Sequence, residues 1–519
     1  MATFNESSSA GLSHNSQNST IRLNEADNVI VATRPLEVGE NIEALTVAEP
    51  IPSGHKIAAR PISQGEAVLK YGQVIGTAKI EIHPGQHVHL QNLAMLESNV
   101  EHEFAKDGGP TPLLPAAERR TFKGYVRPNG LVGTRNYIGI ITSVNCSATV
   151  SRAIAEHYKL KGFKDFKNID GVVALTHGTG CAIPMDTEGY IYLRRVMNGY
   201  ARNPNFGAIL MIGLGCETTQ IGHLVKAFEL DEGPRLHTMT IQQMGGTRRT
   251  IEEAIRIIDD ISPQVNDIER TTVSLSGLKL ALQCGGSDAY SGITANPALG
   301  YAADLLVKHG GTAVLSETPE IYGAEHLLTR RAVSREVAEK LMARIDWWRN
   351  YTEKNGAELN NNPSYGNKEG GLTTILEKSL GAVAKGGSMP LEEVYEYAEI
   401  IDKPGFVFMD TPGYDPVAVT GQVAGGCNLI VFTTGRGSVS GFKPAPCIKV
   451  ATNNEMYTRM SDDMDINCGG IIDGSDTIRA AGERIFEKII AVASGEHTIS
   501  EDYNYGDNEF VPWQIGAVT

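Results

Sequence analysis

No CxxC pair occurs anywhere in these 519 residues, which removes the ordinary zinc ribbon or finger. No apolar run approaches the ~18 residues that a membrane span requires; even the greasy stretch Leu429 to Thr433 falls far short. The first twenty residues, MATFNESSSAGLSHNSQNST, carry neither a positively charged start nor an apolar segment, so they are not read as a secretory signal. Basic charge is scarce, 46 Lys and Arg against 61 Asp and Glu, for a net charge of −15. That acidity disfavours phosphate-backbone binding as the main business of the chain, because nucleic-acid binders usually carry a clear basic footprint. The phosphate loop GxxxxGK[ST] and the dinucleotide fingerprint GxGxxG are missing too.

What remains is globular in composition, with 41% hydrophobic and 21% charged residues. A chain of this length exceeds what one core supports, so two or three domains are expected. Seven cysteines, an odd number without a secretory signal, read as reduced thiols of a cytoplasmic protein.

The grammar changes along the chain. Residues 1–20 are Ser- and Asn-rich and read as a disordered tail. Residues 21–93 hold short strand-like segments (NVIVAT, KIAARPI, AVLKYG) broken at SGH, SQGE and HPGQH, a small β-rich module. Residues 94–120 are charged and rich in Pro and Gly, a linker. From 121 onward, buried-strand runs (YIGIITSV, GVVALTH, AILMIGLG, LKLALQCGG) alternate with helical stretches, the signature of α/β structure with parallel sheets. The polar stretch NGAELNNNPSYGNKEGG suggests a division into an α/β domain over 121–360 and a C-terminal α/β domain over 361–519.

Four cysteines recur at one address. Cys146, Cys181, Cys216 and Cys284 each end an apolar run and precede small or polar residues, so all four are expected on one rim of one sheet. Cysteine is also a commonly buried small residue, but four at strand ends point to a metal site, a thiolate cluster or an iron–sulfur cluster. His177 and Glu217 stand beside them in sequence as candidate partners. Cys284 opens QCGGSDAYSGITANPALG, where Gly285 and Gly286 allow backbone amides to approach a ligand. Ser287, Asp288, Ser291, Thr294 and Asn296 add side-chain donors and acceptors. A tight structural turn is the competing reading. Lys368 and Asn367 in PSYGNKEGG and Arg436 between two glycines in TTGRGSVSG are basic or polar groups in Gly-rich loops, the setting in which a carboxylate is held. In the small module, His55, Lys56, His87 and His89 sit in turns or on a strand. His87 and His89, two residues apart, share one face, which can chelate a metal or be simple alternation.

Taken together, GHKIAARPISQGEAVLKYGQVIG, HVHLQN, GTRNYIGI, GLGCE, QCGGSDAYSGITANPALGYAADLL, SYGNKEGG, TTGRG and MDIN resemble the altronate/galactarate dehydratase family of sugar-acid hydro-lyases, from about residue 25 onward. The resemblance implies an N-terminal SAF module, a large catalytic region, and dehydration of a sugar acid to a 2-keto-3-deoxy acid, with D-altronate favoured by HVHLQN. Galactarate, a sulfolactate-type substrate, or a sugar-acid binder without activity are the alternatives, and a fused chain argues against the sulfolactate type, in which the two modules are separate chains. The cofactor implied is a divalent metal, iron(II) ahead of manganese, with an iron–sulfur cluster as a third option. On this reading His55, Lys56, His177, Asp288 and Lys368 are catalytic. Gly285, Gly286, Ser287, Thr294, Asn296, Asn367 and Arg436 bind substrate, and Cys146, Cys181, Cys216, Glu217, Cys284, His87 and His89 hold metal. The expected partner is a small sugar acid, with neither nucleic acid nor membrane, in a homo-oligomer such as a dimer.

Overall fold

The computed structural model describes residues 19–42, 44–96, 102–230 and 233–516. Most of the expected N-terminal tail lies outside them. The small module is built from antiparallel strands. Thr20–Ile21, Val29–Ala32, Lys56–Ala58 and His87–Val88 form one sheet, and Ala67–Lys70, Gln73–Ala78 and Leu93–Ala94 form another. Ile30, Ile57, Ile62, Val68 and Ile75 are fully buried at its centre, which is what lets so short a segment hold a shape. The described part of the linker runs along the large region: Ala105 and Asp107 donate amide hydrogen bonds to the carbonyls of Thr329 and Arg330.

Two parallel sheets follow. The first has the order Gly171–Leu175, Tyr137–Thr142, Phe206–Gly213, Leu236–Thr240. The second has seven strands in the order Leu391–Tyr395, Gly405–Met409, Thr312–Leu315, Lys279–Cys284, Leu429–Thr434, Cys447–Ala451, Ile466–Asn467. The runs FGAILMIG, LIVFTT and GFVFM are buried at every position, as strands covered on both faces must be.

The sheets correct the expected boundary at 360. Strands 279–284 and 312–315 hydrogen-bond into the same sheet as strands 405–409 and 429–434, so the architecture divides between the 236–240 and 279–284 strands instead. The polar stretch near 360 is a surface excursion between elements of one domain, where loop composition resembles a linker without being one. Within the seven-stranded sheet the chain first builds outward from strand 279–284 to one side, then returns to add 429–434 on the other. The crevice between the carboxyl ends of these two strands is a topological switch point, the place where open α/β sheets bind ligands.

Candidate active site

The loops that leave the switch point are the Gly-rich stretches singled out in the sequence. Gly285 donates its amide to the Thr433 carbonyl, and the amides of Gly435 and Arg436 both donate to the Gly286 carbonyl, so the two loops are stitched together. Asp288 hangs from this seam, fully buried. It accepts from the Ser291 amide and hydroxyl, the Thr452 hydroxyl and the Asn453 amide group at 2.9–3.1 Å. Burial pushes its carboxyl pKa up while those hydrogen bonds pull it back. Gly435 has to be glycine here: a Cβ would stand 2.1 Å from the Asp288 carboxyl carbon.

Much of the polar density of this stretch is consumed internally. Thr294 donates to the Tyr290 and Thr452 carbonyls. Asn296 donates to the Gly381 carbonyl and accepts from the Thr433 hydroxyl. The Gly285 amide is spent on Thr433, so it is no free anion donor. These residues stiffen the bed. Cys284 Sγ and Ser287 Oγ, 2.8 Å apart, face a narrow pocket also lined by Tyr71, Glu377 and Lys378. Asn367 closes over it, its amide donating to the Ser287 carbonyl at 2.8 Å. Lys368, half-buried, adjoins Glu369, whose side chain pairs with exposed Arg436 at 2.6 Å across the mouth.

The small module docks against this pocket and carries a cluster of three histidines. The ligating nitrogens of His55, His87 and His89 all lie within 4.8 Å of one another. The rings of His87 and His89 stack at 12°, the shared face expected of their spacing. His55 lies across the sheet from them because Ile57 pairs with His87. Its Nε2–H donates to the Glu369 carbonyl at 3.1 Å, which leaves the Nδ1 lone pair facing His87 Nε2 at 2.9 Å. Burial holds all three imidazoles below the ordinary histidine range, His87 at about 4 and His89 at about 3, so they are neutral at pH 7. Neutral imidazole is the ligating form, and the buried Nδ1 of His89 has no partner of its own. A backbone carbonyl that fixes the tautomer of one histidine is what a metal-ligating imidazole ordinarily has behind it. The residues fit a divalent metal.

Beneath the histidines, Glu377 is buried between two lysines. Lys56 Nζ reaches its two oxygens at 3.1 and 2.9 Å, Lys70 Nζ reaches one at 2.8 Å, and Lys56 also donates to the Gly371 carbonyl. Burial by itself would raise the Glu377 carboxyl, but the paired lysines outweigh it and hold the group well below the carboxylate range. Burial, reinforced by the Lys70 charge and opposed by Glu377, brings Lys56 down to about 8. Sequence reasoning missed Glu377, Lys378 and the buried carboxylates Glu317 and Glu320 nearby. They sit inside apolar helical or turn segments with no glycine-rich frame to flag them.

The expected single rim of four cysteines is corrected. Cys146, Cys181 and Cys216 follow three strands of the four-stranded sheet and are exposed, whereas Cys284 ends a strand of the seven-stranded sheet and is buried. His177 and Glu217 go with the first three. His177 is buried, donating from Nε2 to the Thr142 carbonyl at 2.9 Å and accepting at Nδ1 from the Thr179 amide. Glu217 accepts from the Ser143 hydroxyl and the Leu214 and Gly215 amides. Both side chains are committed to shaping loops, and neither lies at the Cys284 pocket.

Family models match in chain order: an altronate/galactarate dehydratase SAF domain over residues 18–96, a D-galactarate dehydratase/altronate hydrolase second domain over 124–266, and a D-galactarate/altronate dehydratase C-terminal domain over 275–518. The chain belongs to the altronate/galactarate dehydratase family. Its relatives in that family include the galactarate dehydratase (L-threo-forming) of Escherichia coli K12, 37% identical over 96% of this chain and 97% of the relative. The altronate dehydratase of Bacillus subtilis 168 is 33% identical over 92% of this chain and 95% of its own length. The (2R)-sulfolactate sulfo-lyase subunit beta of Chromohalobacter salexigens is 32% identical over 76% of this chain and 97% of the subunit. The altronate branch is not set apart by these identities. No helix among the described residues is long and apolar enough to cross a membrane.

Proposed function

We propose that this chain is a metal-dependent sugar-acid dehydratase, converting a sugar acid such as D-altronate to a 2-keto-3-deoxy acid and water. D-Galactarate is the competing substrate, favoured by the 37% identity to a galactarate dehydratase. The observation that carries the reading is the docking of three neutral, convergent imidazoles beside a stiffened switch-point loop with a basic mouth.

Dehydration removes a weakly acidic proton next to a carboxylate and expels hydroxide from the neighbouring carbon, so negative charge must be stabilised and a poor leaving group protonated. A divalent metal, iron(II) foremost, held by His55, His87 and His89 would supply Lewis acidity. Arg436 and Lys368 receive the substrate carboxylate at the mouth. Ser287 and Cys284 meet its hydroxyls, on a bed that Asp288, Thr294 and Asn296 keep rigid. Lys56, brought to about 8, is poised to exchange a proton near neutrality, with Glu377 fixing its amine in place and the neighbouring Lys70 charge favouring release of the proton.

The test is an anaerobic screen of aldonic and aldaric acids for 2-keto acid release, with iron(II), with manganese(II) or with neither. Release from altronate that depends on iron and is lost in His87→Ala is the expected result. Release that is indifferent to chelation would sink the metal assignment, and a galactarate-only result would move the substrate to the sister branch.

A further inference from the structure

The seven cysteines divide by place. Cys284, Cys427, Cys447 and Cys468 are buried in the seven-stranded domain, and burial pushes the thiols of Cys427, Cys447 and Cys468 far above the ordinary range. The other three, Cys146, Cys181 and Cys216, are all exposed. They follow strands Tyr137–Thr142, Gly171–Leu175 and Phe206–Gly213, which are parallel neighbours with 137–142 in the centre. Adjacent strands lie about 4.8 Å apart, so the three loops span about 10 Å at one end of the sheet.

Each loop is hydrogen-bonded to both of the others. Asn145 donates its amide to the Thr179 carbonyl, joining the Cys146 and Cys181 loops. The Thr218 amide and hydroxyl both donate to the Cys181 carbonyl, at 3.0 and 2.8 Å, joining the Cys181 and Cys216 loops. The Thr219 hydroxyl donates to the Ser143 carbonyl at 2.5 Å, and the Ser143 hydroxyl to Glu217 at 2.7 Å, joining the Cys216 and Cys146 loops. The buried His177 and Glu217, which the pocket chemistry does not use, are the internal braces of this triangle. Gly180, with φ +103°, turns one residue before Cys181 where a Cβ would stand 2.3 Å from the Ser143 carbonyl oxygen. So much bracing beneath three exposed thiols is more than a surface loop needs.

A single zinc or iron ion with bonds of ~2.3 Å gathers its sulfurs within about 4 Å of one another. Among the described residues only the three histidines gather their ligating atoms within 4.8 Å, so the thiols are spaced too widely for one ion. A polynuclear cluster takes one thiolate on each of several irons and suits that wider spacing. We propose that Cys146, Cys181 and Cys216 hold a [4Fe–4S] cluster at the carboxyl rim of the four-stranded sheet, with one iron left without a protein ligand. It is a second metal centre, distinct from the histidine cluster, and it does not depend on the proposed dehydratase reading.

The test uses the full chain, purified without oxygen and incubated with ferrous iron, sulfide and a thiol reductant, then desalted. About four acid-labile sulfides per chain and a brown chromophore are expected. Cys146→Ser, Cys181→Ser and Cys216→Ser should each lower labile sulfide at least fivefold while circular dichroism and thermal midpoint stay near wild type. His87→Ala should keep its sulfide. The proposal is overturned by absence of labile sulfide in the wild type, by zinc bound without sulfide, or by sulfide retained in the triple serine variant.

Discussion

Gly435 and Gly222 show how differently one methyl group weighs at two positions. At Gly435 an added Cβ collides with the Asp288 carboxyl, whereas at Gly222 it meets nothing within 4 Å and lies in a helix. Gly435→Ala is therefore expected to cost about 1–3 kcal/mol and to displace Asp288 from its donors. Gly222→Ala is expected to be neutral or to add up to about 1 kcal/mol. Urea denaturation of both variants measures the contrast, and equal stabilities would show that the loop seam is softer than described. The orphaned Nδ1 of His89 makes a second prediction: His89→Ala should weaken divalent metal binding at least about 100-fold by titration, since disturbing even the outer shell of a metal site costs 10–100-fold.

Helix Ile375–Val383 is the element on which the pocket and the module meet, and the sequence hid it. Thr374 caps it, accepting from the Glu377 amide while donating to the Ile75 carbonyl of the small module at 2.5 Å. Glu377 then points toward Lys56 and Lys70, and Lys378 toward Glu320 and Asn362. Replacing Glu377 with Gln leaves two buried ammonium groups facing a neutral amide, an expected loss of about 3–5 kcal/mol. A loss under about 1 kcal/mol would mean that water reaches the triad. Nothing local in TTILEKSL flags Glu377, because its lysine partners lie some 300 residues upstream and no local period encodes them. The glycine-framed stretches at Gly285, Gly286 and Arg436 were legible for the opposite reason: tight backbone turns need particular residue types locally. The strand ends were legible too, and the error over the cysteines came from topology. Runs of buried residues mark a strand without saying which sheet it joins, so the pattern groups Cys284 with three thiols that belong to another sheet.

At the scale of the molecule, the module and the large region are held together by buried contacts that respond to pH. Glu377 is ionised in the folded chain with its pKa depressed by two lysines, so its stabilisation is fully present above its ordinary value near 4.5 and is lost as pH falls below it. Wild-type stability should decline steeply under pH 4.5, and Glu377→Gln should flatten that decline. The same contacts predict that the two parts can be made as separate chains. The interface here is polar and specific: Lys56 and Lys70 to Glu377, His55 to the Glu369 carbonyl, and Tyr290 donating to the Ala32 carbonyl while bonded to Ser53. Residues 1–101 and 102–519 expressed together should therefore co-purify as a 1:1 complex that binds divalent metal as the intact chain does. Introducing Glu377→Gln into the larger fragment should weaken that complex at least about 100-fold, because both lysines lose their buried counter-charge at the seam. If the fragments failed to associate although each was soluble, covalent linkage would be what keeps the histidines over the pocket; association untouched by Glu377→Gln would shift the holding force to the apolar contacts around Tyr290 and Val31.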